Sequence, residues 1–410
     1  MKKTLSVIAC FFYLSLTYAS LINVGSTKKI KTIKAALLLS KNGDSIFVYP
    51  GIYKEANLRI TKQVNLIGIQ FPILDGENKY EVLSIKSNKV SIDGFKIIHS
   101  GVSNIDDYAG IKIYDAQDVL IQNNILDDTY FGIYIQYGKK CIIKNNQLIA
   151  YNKNEQQSGN GIHCWKSDSL TIIGNKVNGH RDGIYFEFVT HSLIKNNLTT
   201  NNIRYGLHFM FSNNDSYISN KFIDNGAGVA VMYSNHVTML NNYFKENWGD
   251  AAYGLLLKEI SDSYIISNMF EKNTTGIYLE GASRIQMHHN GFINNGWAMK
   301  IQASCMDIKV QKNNFIGNTF DIGTNGSLVL NSFDGNYWDK YDGYDLNKDQ
   351  LGDIPYRPVS MYSMIVERNP PAMMLFRSFI TSLLDQTEKY IPSLTPENLK
   401  DNTPLMHKAF

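Results

Sequence analysis

The 410-residue sequence predicts an all-β solenoid: a right-handed parallel β-helix with about 22 residues per turn. Three observations carry this. A glycine followed by an aliphatic residue recurs at Gly110-Ile111, Gly132-Ile133, Gly161-Ile162, Gly183-Ile184, Gly206-Leu207, Gly228-Val229, Gly254-Leu255 and Gly276-Ile277, at spacings of 22, 29, 22, 23, 22, 26 and 22 residues. An asparagine column runs in step, at Asn124, Asn146, Asn175, Asn196, Asn220, Asn242, Asn268, Asn290 and Asn313. The residues after each glycine alternate with period two, as in Ile133-Tyr134-Ile135-Gln136, which is strand and not helix patterning. Asparagine tolerates left-handed backbone and hydrogen-bonds to neighbouring backbone, so a stack of them suits a repeated tight bend. The 43 asparagines of the chain have a use in such a fold. The leucine spacing of the rival leucine-rich solenoid is absent.

The elements follow in order. Residues 1–19 read as a signal peptide: Met1-Lys2-Lys3 is a basic start, Leu5 to Leu16 an apolar run, and Thr17-Tyr18-Ala19 predicts cleavage after Ala19. The run is short for a membrane span, so an exported chain is expected. Residues 20–335 form the β-helix with an N-terminal cap, in which Ile33, Ala36 and Leu37 have helical spacing and would cover the open first turn. The two long periods place insertions at 151–158 and 247–252. Both lie between the asparagine bend and the next glycine, and so on one edge. Residues 336–365 read as a polar capping loop. Residues 366–410 hold an amphipathic helix over 371–389, with Phe376, Phe379, Ile380 and Leu383 on one face, followed by a tail. This helix is either a second cap or an arm that docks on a partner.

Stacking brings residues of equal register into columns about 4.8 Å apart. The first and third residues after each glycine are apolar and face inward; the second and fourth face out. The fourth column reads Gln136, Trp165, Glu187, Met210, Met232, Lys258, Glu280, and the second reads Tyr134, His163, Tyr185, His208, Ala230, Leu256, Tyr278. Met210 and Met232 are therefore stacked neighbours, with His208 beside Met210. Two thioethers and an imidazole suit Cu(I), which prefers soft ligands; the same residues would equally make an apolar contact patch. Met239 and Met287 have inward register and read as core fillers. His288-His289 is either exposed or at the bend and is a weaker metal candidate. Cys141, Cys164 and Cys305, the cysteines left after cleavage, form no metal-binding or disulfide pattern.

Lys and Arg number 40 against 37 acidic residues, a net charge of +3, which gives no basic footprint for nucleic acid. Carbohydrate enzymes are the competing class, since parallel β-helices commonly carry lyases, epimerases and hydrolases. Arg181, Asp182, Glu187, Arg204, Lys258 and Glu280 are the candidate residues for that chemistry, but no dense carboxylate pair falls on adjacent turns. Asp345, Asn347, Asp349 and Asp353 have the alternation of a Ca2+ loop, yet Gln350 and Tyr356 stand where such a loop wants Gly and Glu.

The phrases GHRDGIYFEFVTHSLIKNN, RYGLHFMFSNND, GAGVAVMYSNHVTMLNN, NWGDAAYGLLLKEISDS, GNYWDKYDGYDLNKDQLGDIPYRPVS and PSLTPENLKDNTPLM resemble the NosD family, periplasmic maturation proteins of nitrous-oxide reductase. The resemblance implies a non-enzymatic, periplasmic subunit of an ABC-type complex that assembles the reductase's copper–sulfur centre. Its implied partners are a membrane permease, a cytoplasmic ATPase subunit, a periplasmic copper chaperone and the reductase itself, with membrane contact only through the permease. ATP hydrolysis would belong to the partner, since this chain has no GxxxxGK[ST] motif. HFM and AVM lie within the matching phrases, so the resemblance also favours transient Cu(I) at His208, Met210 and Met232.

Overall fold

The computed structural model describes residues 20–55, 57–103, 106–151, 154–326, 330–391 and 399–410; the expected signal peptide lies outside them. Three parallel sheets of 12, 14 and 13 strands wind into a β-solenoid of about 13 turns and ~23 residues per turn. Each turn visits them in that order, as in Phe131–Gln136, Ile142–Lys144 and Gln147–Ile149. We call them the first, second and third sheets.

The glycine column has a steric cause. It opens the first-sheet strands, where a Cβ on Gly161, Gly183, Gly206 or Gly228 would lie 2.6, 2.5, 2.8 or 2.3 Å from the carbonyl oxygen of the next glycine in the stack. The backbones approach too closely there for any side chain.

The asparagine column works differently from the sequence expectation. At the bend between the second and third sheets, the left-handed residue is the one before the ladder: Asn123, Asn145, Asn196 and Asn241 have φ of 54–55°. The ladder residue itself is buried and acts through its amide. Asn220 Nδ2 donates to the Ile194 carbonyl at 3.0 Å and to Asn242 Oδ1 at 3.1 Å, while its Oδ1 accepts from the N–H and Nδ2 of Asn197. Asn197 thus occupies the column where Asn196 was expected; Asn196 is the exposed left-handed residue beside it. A second buried ladder, Asn202, Asn225, Asn247, Asn273, Asn295 and Asn318, lines the bend between the third and first sheets. Inside the bore Phe222, Phe244, Phe270, Phe292, Phe315 and Trp338 stack with centroids 4.0–5.2 Å apart. Met239, Met287, Cys141 and Cys164 are buried in the same core.

Helix α1 (Ile33–Leu39) caps the first turn with Ile33 and Ala36 buried. Glu55 accepts from the N–H groups of Ile33 and Lys34 at its N-terminus, and the Lys62 ammonium donates to the carbonyls of Leu37, Leu38 and Ser40 at its C-terminus. At the far end the single helix expected over 371–389 is broken. A 3-10 turn (Pro370–Leu375) runs to Arg377, whose φ is 61°, and Ser378 then caps a separate helix, Phe379–Tyr390. A further helix, Met361–Arg368, packs Tyr362 and Val366 against Trp297 and Phe320 of the last turns. Phe379, Ile380 and Leu383 stay exposed. The tail then returns: buried Asp401 accepts from Asn336 N–H, Asn336 Nδ2 and Trp338 Nε1 at 2.9–3.1 Å, ending the first asparagine ladder with a carboxylate.

The 345–353 segment is a polar loop whose carboxylates serve its own backbone. Asp345 accepts from the N–H groups of Asp349 and Gln350, Asp349 from Leu351, and Asp353 from Leu346. Among the described residues no helix is long and apolar enough to cross a membrane.

Candidate functional site

A cavity of about 420 Å³ opens on the outer face of the first sheet, lined by His163, Arg181, Asp182, Tyr185, Glu187, Arg204, His208, Met210 and Met232. Its lining comes from the register of four strands, Ile162–Trp165, Ile184–Glu187, Tyr205–Met210 and Ala227–Met232, and from the corners that hold Arg181, Asp182 and Arg204. Tyr185 pairs with His208, which pairs in turn with Ala230, and Glu187 pairs with Met210, which pairs in turn with Met232. The second column loses its bulk at Ala230, which leaves space above His208.

The structure therefore brings His208, Met210 and Met232 together, but not on an open surface. His208 is 4% exposed, flanked by the rings of Tyr185 and Tyr205 at 5.0 and 4.8 Å, and the two methionines are half-buried. Neither ring nitrogen of His208 has a hydrogen-bond partner. Its Nδ1 lies 3.7 Å from Asp182 Oδ2, which is also unpartnered. Buried polar atoms are rarely left so. Asp182 is itself held: Oδ1 accepts from the Tyr205 N–H at 3.3 Å, with Arg204 Nε at 3.8 Å. At 3.7 Å the carboxylate faces the imidazole without hydrogen-bonding to it, so both ring nitrogens are open to a partner.

Beside it the Tyr185 hydroxyl lies 3.4 Å from Glu187 Oε2 and 3.8 Å from the Met210 sulfur. The carboxylate of Glu187 and burial both push the Tyr185 phenol up, burial most, so it stays a neutral donor. His163 stacks on the far side of Tyr185 at 4.8 Å, with Nδ1 3.0 Å from Asn160 Nδ2. Burial, and then the Arg181 guanidinium, lower its pKa to about 3, so it is neutral at any physiological pH.

Chemically, the cavity offers the Met210 and Met232 thioethers and the His208 imidazole, with the carboxylates of Asp182 and Glu187 beside them. That set suits a soft monovalent ion. Among the described residues no group of three or more His, Cys, Asp or Glu side chains is placed to hold a metal.

Of the carbohydrate candidates, Arg181, Asp182, Glu187 and Arg204 do converge on this cavity, although the sequence showed no dense acidic pair. Lys258 and Glu280 pair with each other at 3.5 Å outside it. The column reading contained His163 and Tyr185 without marking them as site residues. The contribution of Tyr205 came from the position just before the glycine, which the columns did not include.

Residues 148–343, which span the whole cavity, match the family described as periplasmic copper-binding protein (NosD). The chain is 24% identical over 390 residues to the probable ABC transporter binding protein NosD of Stutzerimonas stutzeri, covering 90% of this chain and 88% of that one. It is 26% identical over 352 residues to the protein of the same name in Pseudomonas aeruginosa, covering 81% of each. This chain is NosD-like. A likeness to the catalytic unit of an α-1,3-glucanase from Streptomyces thermodiastaticus has a TM-score of 0.57 and 12% identity, over 75% of this chain and 65% of that one; it is a likeness of fold alone.

Proposed function

We propose that this chain is an exported, periplasmic copper-binding protein that receives Cu(I) at His208, Met210 and Met232. It acts as the non-enzymatic accessory subunit of an ABC-type complex that assembles the copper–sulfur centre of nitrous-oxide reductase. The observation that carries the copper reading is the pairing of Met210 with Met232 on adjacent turns, in one cavity with a buried imidazole that has no hydrogen-bond partner. The names of its relatives support copper binding and an ABC association. A periplasmic copper chaperone would deliver the ion, and the reductase would receive it. The permease and its cytoplasmic ATPase subunit would supply the membrane contact and the hydrolysis. The exposed Phe379, Ile380 and Leu383 are the surface we assign to the permease.

The test is an anaerobic Cu(I) titration of the mature chain against a chromophoric chelator, with Met210→Ala/Met232→Ala alongside. Competition by the wild type that the double variant loses supports a copper relay. No competition by the wild type refutes it and leaves a scaffold that positions partners.

A second reading has one observation in its favour. Tyr185, His208, Arg204 and Glu187 line a single groove-side cavity, a set that proton abstraction from a uronic acid could use. Unsaturated products or new reducing ends after incubation with uronic-acid polymers would establish it.

A further inference from the structure

His288 and His289 lie on a different sheet from the cavity. His288 ends the second-sheet strand Ser283–His288, and His289 takes the left-handed backbone of the following bend, with φ of 58°. In a continuing strand, consecutive side chains would point to opposite faces. Here the bend turns them together: the Nδ1 atoms are 3.1 Å apart and the ring planes 82° apart. The bend is rigid. The His289 N–H donates to the Lys312 carbonyl at 3.2 Å, the Ser267 N–H donates to the His288 carbonyl at 3.1 Å, and Asn290 is locked in the amide ladder. Both rings are partly accessible.

We infer that His288 and His289 form a second metal site, which takes a borderline divalent ion such as Zn2+ or Cu2+. Two imidazole nitrogens about 2.0–2.1 Å from one ion and 3.1 Å from each other subtend about 100° at it. That angle is near tetrahedral and far from linear, so water completes the shell. Imidazole without thioether or thiolate favours the divalent ion over Cu(I). Without metal, one Nδ1–H donates to the other Nδ1. On binding, that proton moves to Nε2 of the same ring through solvent, and both Nδ1 lone pairs reach the ion with no net proton released. The site shares no ligand with the cavity and does not rest on the copper reading.

The experiment is a calorimetric titration of the full mature chain with Zn2+ and, separately, Cu2+, followed by electron paramagnetic resonance of the Cu2+ form. The expected result is one equivalent bound, weakened at least tenfold by His288→Ala or by His289→Ala and unchanged by Met210→Ala/Met232→Ala. Hyperfine coupling from two nitrogens should fall to one in His289→Ala. His289→Asn, which tolerates the left-handed bend, should show the same loss with the fold kept. Equal binding by wild type and both histidine variants, or no binding by the wild type, overturns the site. The Cu(I) titration of the cavity is read on different residues, so either reading can fail without the other.

Discussion

The bend between the second and third sheets and the outer face of the first sheet are built by the same stacking, yet they differ in how they treat buried polar groups. In the bend, each ladder amide repeats the bonds of the one before it, from Asn124 to Asn336, and each inter-turn bond is about 3 Å long. On the sheet face the fourth column changes identity at every step but Met210 to Met232, and His208 and Asp182 are buried without full partners. Repetition of one residue marks a part that holds the solenoid together. A column that stops repeating, and leaves polar atoms open, marks a part available to a ligand.

The largest effect should come from breaking the repeated part. Asn220→Ala would remove the acceptor of the buried Asn197 N–H and the side-chain donor to the Ile194 carbonyl, and would take one bond from each of the Asn197 and Asn242 amides. At about 1–3 kcal/mol for each unsatisfied buried group, a loss of about 3 kcal/mol or more is expected, measured by urea unfolding. A loss below about 1 kcal/mol would mean that the ladder is replaceable and the contrast drawn here is false.

How much of this contrast could be read from the residues differs between the two regions. The glycine and asparagine columns were legible because sterics and hydrogen bonding at those bends admit few residues, so the same letters recur. The Asn196 and Asn197 assignment slipped by one because both positions favour asparagine, one for its backbone and one for its amide. Met210, Met232 and His208 were found by register, which period-two strands preserve faithfully. The enclosure of His208 was not legible, since it depends on Asp182, at the corner before the previous strand, and on Tyr205, which stands just before the glycine of its own strand. The break at Arg377 was likewise hidden, because Leu375 to Phe379 continues the apolar spacing of a helix while the backbone turns left-handed.

Asp215 tests the same contrast through pH. It is fully buried, and its Oδ1 accepts from the Ser192 N–H at 2.7 Å while Oδ2 has no partner. Burial raises its pKa to about 8. The folded state therefore holds a proton that the unfolded chain releases near pH 4. Stability from this group is fully present below about pH 4 and is lost as pH rises towards 8. Asp215→Asn keeps the acceptor for Ser192 and removes the ionisation. It should raise stability by about 2 kcal/mol or more at pH 9 and change it little at pH 4, by thermal unfolding at both. Equal shifts at the two values would show that the carboxyl does not titrate in the fold.

The methionine pair sharpens the other side. Met210→Ala/Met232→Ala removes half-buried side chains from a cavity wall, so unfolding should move by about 1 kcal/mol or less, far below the ladder variant. Cu(I) affinity, in contrast, should fall at least a hundredfold in chelator competition. A variant that loses stability and keeps affinity would reverse the assignment of the two regions.

The smallest effect should come from Asp182→Asn, which alters no ligand. Asp182 is a positioning residue in the copper reading: its Oδ2 faces His208 Nδ1 at 3.7 Å, and the Tyr205 N–H fixes the other oxygen. The amide keeps the shape but loses the charge that faces the imidazole. Outer-sphere carboxylates of this kind typically change metal affinity by about tenfold. The expected result is that loss for Cu(I), with the methionine contribution intact, so that adding Met210→Ala weakens binding further. His208→Ala in the same background separates orientation from ligation. If Asp182→Asn costs nothing more once His208 is gone, the carboxylate acts through the imidazole. If it still weakens binding, Asp182 meets the ion or its donor directly, and the unpartnered oxygen is part of the site itself.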